Sequence, residues 1–363
     1  MRKNVKKQLA LRVLSTAALV AMVSSIATAA FADTYDLNTG SVTVETKANG
    51  ITYVTQKDDK QVDGFARNKN NEVLNEHPDD TGVTITSDGK QTSNTITVET
   101  AKDQTTDVTL ENVHIEVNTT DAKSGAIEIK GDGDTNLELN GDNTVLVKNR
   151  WSDEHAAIEK ADAYGKGTLT IKDDVNDDGT AKTGTEADTT GKLVAGGYDN
   201  GAGIGGGGYH DGKSYADTSN ITITGGDITA NGGVYGAGIG AGCYGDASNI
   251  RIEGNAHVAA FGSGSAAIGS GYQSNGNSDI TITDHATVEA ASDDACGIGD
   301  GLNASGNATI TISGHASVHA EAQDYAAAIG SDTSSATVNI EDHADVTAVS
   351  HSVAIGTSYG HEY

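Results

Sequence analysis

A short string ending in Ile-Gly returns six times in the second half of this chain, and its spacing limits what the chain can fold into. The pairs are Ile204-Gly205, Ile239-Gly240, Ile268-Gly269, Ile298-Gly299, Ile329-Gly330 and Ile355-Gly356, each preceded by Gly, Ala, Ser, Cys or Val. Between them lies a second string: Asn220-Ile-Thr-Ile-Thr, Asn249-Ile-Arg-Ile-Glu, Asp279-Ile-Thr-Ile-Thr, Thr309-Ile-Thr-Ile-Ser and Thr337-Val-Asn-Ile-Glu. These start 29, 30, 30 and 28 residues apart. A period near 30 with strand-like content is that of a solenoid, each repeat one rung stacked on the last. A coil one rung wide has a thin core, which fits a hydrophobic share of only 36%.

Each rung supplies three inward sets. For the rung at Asn249 they are Ile250/Ile252, Val258/Ala260 and Ala266/Ile268; for the next, Ile280/Ile282, Val288/Ala290 and Cys296/Ile298. Alternation with period two sends these side chains in and Arg251, Glu253, Thr281 and Thr283 out. The pattern predicts an all-β protein: a parallel, right-handed β-helix of about 30 residues per rung with an N-terminal cap. Strand starts at Val108, Leu137, Leu169, Ile221, Ile250, Ile280, Ile310 and Val338 give eight rungs. Ile252, Ile282, Ile312 and Ile340 are expected in one buried column. The glycines flanking Ile204 and Ile239 fit tight corners, and their replacement by Ala or Ser in later rungs suggests a relaxed demand.

The chain divides into three stretches. Residues 1–32 read as a secretory signal: a basic start, an apolar run from Val13 to Val23, and Ala30-Phe31-Ala32 before Asp33. Residues 33–98 read as a cap grading into irregular first rungs, with a hairpin around Ala48-Asn49-Gly50. Residues 99–363 carry the repeats, interrupted at 173–191 by an acidic insertion. Export places the chain outside the cell or on its surface, with no membrane insertion once the signal is cleaved. Net charge is −28, about −33 without the five basic groups of the signal. That field repels nucleic acid and anionic membrane, and no basic patch opposes it. Cys296 takes a place that neighbouring rungs give to Ala. Cys243 lies two rungs away, roughly 9–10 Å, beyond disulfide reach.

The succession Gly131-Asp-Gly-Asp-Thr-Asn-Leu-Glu-Leu-Asn-Gly-Asp-Asn-Thr-Val145, Ala156-Ala-Ile-Glu-Lys160, Gly167-Thr-Leu-Thr-Ile-Lys172, Gly201-Ala-Gly-Ile-Gly-Gly-Gly207 and Asn220-Ile-Thr-Ile-Thr-Gly-Gly-Asp-Ile-Thr-Ala230 resembles the repeat regions of bacterial exported surface proteins of carbohydrate-binding or adhesin type. The resemblance covers most of 33–363. It implies a β-helix at a cell surface and brings no settled catalytic motif. No LPxTG-type sorting signal follows the repeats, and the chain stops in mid-rung. Release and a longer reading frame are therefore the alternatives.

Four features carry chemistry. Asp174, Asn176 and Asp178, followed by Gly179, match the first half of a calcium loop; Thr185 stands where the bidentate Glu belongs, which favours a solvated acidic excursion instead. Tyr209, Tyr244, Tyr272 and Tyr359 follow the isoleucines of the Ile-Gly pairs by four or five residues, and Tyr235 and Tyr325 precede them by four. Such a rim would offer flat faces to sugar rings, or simply pack as turn tyrosines. His285, His315 and His343 share one rung position and are read as turn residues tolerant of positive φ rather than as metal ligands. Acidic pairs are too many to single out one for catalysis. The expectation is a non-enzymatic adhesin or carbohydrate-binding protein whose partners are glycans or host-surface ligands, with calcium as the one cofactor considered. A polysaccharide lyase or glycoside hydrolase acting on an acidic glycan is the alternative, and a passive stalk the third.

Overall fold

The structure is a computed structural model that describes residues 33–57, 66–67, 72–77, 82–117, 125–148, 155–174, 191–210 and 213–358. The expected signal and most of the acidic insertion lie outside the described residues. The chain winds as a parallel β-helix with three sheets along its length. The first sheet has ten strands, from Asp33–Asp36 to Ala336–Ile340; the second has nine, from Gln91–Thr92 to Asp345–Ser350. The third sheet holds the Ile-Gly strands. Ten parallel strands run from Val42–Thr46 to Ile355–Thr357, and antiparallel Thr52–Lys57, Glu72–His77 and Ala66–Arg67 extend its N-terminal edge.

The expected hairpin is present. Val42 pairs with Gln56 and Thr46 with Thr52, and Gly50 turns at φ 78°. Regular coiling starts upstream of Val108, with Val83–Thr86, Gln91–Thr92 and Ile96–Thr100 already a full turn. Edge strands invite pairing with other chains, and the antiparallel strands cover one such edge.

Identical residues stack because each sheet is in register. Val42, Ile96, Ile127, Ile158, Ile204, Ile239, Ile268, Ile298, Ile329 and Ile355 form one ladder along the third sheet. All but Ile355 are buried, and each contributes roughly 1.5–3 kcal/mol by burial. The glycine after each late isoleucine has φ between 131° and 146°, and for the first five a Cβ would overlap the carbonyl oxygen of the next coil's glycine. The demand for glycine is therefore strict at this following position. The Ala and Ser substitutions all fall on preceding residues, none of which takes a positive φ.

Three expectations need correction. Ile252, Ile282, Ile312 and Ile340 do stack in register, but Ile340 is 43% exposed. Among the described residues no coil lies beyond it, so its column is covered from one side only. Leu137 pairs with Ile171, not Leu169, and Val108 with Leu137. The slip is two residues, which keeps the inward face inward. It arises because Thr106 and Thr135 fill the inner place that Leu169 takes in the next coil. Their hydroxyls join a buried cluster: Thr106 donates to Thr46 at 2.6 Å, and Thr100 lies 2.7 Å from Thr106 and 3.0 Å from Thr135. Finally, positive φ in the histidine turns belongs to the preceding residues Asp284, Gly314 and Asp342, at 59°, 68° and 59°. The histidines themselves are exposed, their rings stacked at 5.2 and 5.0 Å.

Candidate functional site

The third sheet builds both clusters that carry chemistry, and its strands at Ile204, Ile239, Ile268 and Ile298 are only two residues long. A two-residue strand brings the turn before it close to the turn after it. Tyr235, four residues ahead of Ile239, therefore meets Tyr272, four residues past Ile268. Their rings lie 4.9 Å apart, and the Tyr272 amide donates to the Tyr235 carbonyl at 3.1 Å. Tyr244 joins edge-on at 6.4 Å from Tyr272, and its amide donates to the Tyr272 carbonyl. Tyr244 takes φ 67°, an uncommon conformation for an aromatic residue, and its side chain is 59% exposed. Tyr235 is 38% exposed, next to exposed Val234. The Gln273 amide donates to the Tyr272 hydroxyl at 3.1 Å.

Of the four tyrosines singled out in the sequence, the fold thus joins Tyr244 and Tyr272 directly, and Tyr235 packs on Tyr272. Tyr209 lies in a short antiparallel pair with its side chain outside the description, and Tyr359 lies outside the described residues. Tyr325 is exposed in the turn equivalent to that of Tyr235, three coils on.

Asp174 is described, whereas Asn176 and Asp178 are not. The Asp174 carboxylate takes two hydrogen bonds from Lys172 Nζ, at 3.0 and 3.1 Å, and its amide donates to Glu138 Oε1 at 3.0 Å. It therefore ends an ion-pair row that runs from Glu138 through Lys172 to the surface.

The second cluster was not foreseen. In the Ile-Gly column two earlier coils carry glutamate: Ile127-Glu128 and Ile158-Glu159, with Glu128 and Glu159 in register on adjacent strands. Neither takes the left-handed backbone of the later glycines. His155, one turn upstream, brings Nδ1 to 2.6 Å from Glu159 Oε2, and the Ala156 amide donates to the same oxygen at 3.2 Å. Glu128, His155 and Glu159 are 4%, 1% and 0% exposed, and one donor atom from each lies within 4.8 Å of the others. Room for Glu159 comes from Gly125, where a Cβ would press on the Glu159 Cβ at 3.1 Å.

Basic and phenolic groups surround the pair. Lys130 Nζ sits 2.8 Å from Glu128 Oε2 and 4.6 Å from the centre of the Tyr164 ring. Tyr164 Oη donates to Glu128 Oε1 at 3.4 Å, and burial beside these carboxylates pushes its phenol far above the usual range. Lys160 is buried on the other side of its strand, its amine donating to the Gly165 carbonyl at 3.2 Å, and burial lowers its pKa. A signal for this site existed in the sequence. Aligned on isoleucine, two glutamates replace a residue that is glycine in six coils.

A third polar group lies inside the coil. Asp300, fully buried, accepts from Ser278 at 2.8 Å, and burial pushes its pKa up to about 6 despite nearby serine hydroxyls. Cys296 is buried next to it, and burial pushes its thiol well up; Cys243 is buried as well, and neither is in a disulfide.

Comparison with known proteins agrees with the coil. A family model described as a beta helix repeat matches residues 221–243, the coil that carries Ile239-Gly240 and Tyr235. No curated protein and no solved structure matches the chain.

Proposed function

We propose that this β-helix protein binds carbohydrate without catalysis, through the tyrosine cluster Tyr235, Tyr244 and Tyr272, and works outside the cell as an adhesin. One observation carries the reading: three tyrosines from three separate turns converge on one corner of a rigid coil, two of them well exposed. Aromatic faces stack on the apolar faces of sugar rings, and the phenols with Gln273 supply hydrogen bonds to hydroxyls. The strongly negative chain disfavours acidic polysaccharides, so the ligand is a neutral or amino-sugar glycan. Export rests on the signal-like residues 1–32 alone. The alternative of a glycan-cleaving enzyme gains no support from the Glu128–Glu159 pair, whose burial keeps a polysaccharide away.

The test is a glycan-array screen of the chain against a Tyr235→Ala/Tyr244→Ala variant. Binding to neutral glycans that the variant loses, with an unchanged melting temperature, supports the reading. Equal binding by both, or no glycan bound by either, removes the tyrosine corner as the site.

A further inference from the structure

We infer that Glu128, His155 and Glu159 form a structural binding site for a divalent transition-metal ion of the zinc class. The geometry comes first. Two carboxylates on adjacent parallel strands are separated by the strand spacing, about 4.8 Å. The imidazole of His155 reaches the same point, so that all three donor atoms lie within 4.8 Å of one another. Zinc takes nitrogen and carboxylate oxygen at about 2.0–2.2 Å, which asks the donors to close to roughly 3.5 Å. The His155–Glu159 pair is already closer, at 2.6 Å, and an ion would take the place of that hydrogen bond.

Electrostatics points the same way. Two like charges held side by side in a buried place are costly unless a positive charge faces both. Lys130 faces Glu128 from the rim, and the His155 imidazole, positive only when protonated, faces Glu159. Lys160 directs its amine to Gly165 and not to the carboxylates. A divalent cation between the two strands would face both at once. The imidazole selects against calcium and magnesium, which prefer all-oxygen sites, and in favour of zinc-class ions. Around the ligands, Lys130 and Tyr164 hold Glu128 and the Ala156 amide holds Glu159, the outer contacts that orient metal ligands. With three protein ligands, water completes the coordination. Because the ligands are buried and come from two successive coils, the ion would be taken up during folding and would tie those coils together.

The experiment is refolding of the full chain from denaturant with EDTA, followed by refolding with and without Zn2+. Bound metal is counted by mass spectrometry, and melting temperature is recorded for both preparations. The expected result is one zinc per chain and a higher melting temperature with zinc. Co2+ in its place should give visible d–d absorption from a nitrogen–oxygen site. Glu159→Gln and, separately, Glu128→Gln should lose both the metal and the thermal shift, while Asp174→Asn keeps them. Less than stoichiometric zinc in the unaltered chain overturns the inference even if a variant fails to fold. So does a zinc-dependent shift that both glutamine variants retain, since that assigns the metal to the acidic surface.

Discussion

Glu128 and Glu159 face each other in register across two adjacent strands, at the column position that six later coils give to glycine. The contrast shows how a repeat can change its chemistry without changing its coil. The isoleucine beside each position keeps its inward place, so the ladder continues. The neighbouring residue is free to be a glycine that closes a turn or a carboxylate that builds a site.

The five glycines of this column from Gly205 to Gly330 should be intolerant of any side chain. Gly240→Ala would put a Cβ against the Gly269 carbonyl at φ 135° and is expected to cost about 3 kcal/mol or more. Gly89→Ala, at φ 68° with nothing near its Cβ, should cost about 1 kcal/mol, the left-handed penalty alone. Chemical denaturation of the two variants checks the difference; equal losses would mean that the inter-coil contact is not what requires glycine.

Depth along the isoleucine ladder should set the cost of mutation. Ile282→Asp leaves a carboxylate inside the column, and a loss of about 4 kcal/mol or more is expected, against about 0.5 kcal/mol for outward Thr281→Asp. Ile282→Ala should cost about 2–5 kcal/mol and Ile340→Ala, on the last of the described coils, about 1 kcal/mol. Thermal melts rank the four; comparable values for Ile282→Asp and Thr281→Asp would reverse the inside and outside faces.

Asp300 should make the fold less stable as pH rises through about 6. Its pKa is raised from 3.8 to about 6, mainly by burial, with Asp332 adding repulsion and the hydroxyls of Ser278, Ser331 and Ser270 opposing. The folded chain thus holds a proton that the unfolded chain has released between pH 4 and 6. Stability from this residue is greatest below about pH 4 and declines by about 3 kcal/mol by pH 7. Asp300→Asn keeps an acceptor for Ser278, removes that slope and should be more stable than the unaltered chain at pH 8. Denaturation at pH 4, 6 and 8 measures the difference between the two chains; a difference independent of pH would refute it.

Asp174 should contribute nothing to calcium binding, because Lys172 already occupies its carboxylate. Titration calorimetry with millimolar calcium is expected to give the same heat for the chain and for Asp174→Asn. A heat that this substitution abolishes would restore the loop as a calcium site.

Much of this protein could be read directly from its residues, because a parallel coil repeats one local rule. Apolar residues at i and i+2, returning every 28 to 30 positions, are enough to place Ile250, Ile252, Val258, Ala260 and Ile268 inside and Arg251 outside, as found. Periodicity alone could not set the register of the early coils. Leu137 over Leu169 and Leu137 over Ile171 both keep the apolar face inward, and the buried threonine hydroxyls decide between them. Nor could it bring Tyr235 to Tyr272, which depends on how short the intervening strand becomes in space. Ile340 has the sequence of a core residue and is exposed because burial requires a neighbour on each side. The Glu128–Glu159 pair and His155 lie 31 and 4 residues apart in sequence, among many other acids, and become one site only when adjacent coils stack. Sequence determines which residues share a column; contact between coils determines which columns meet, and at what depth.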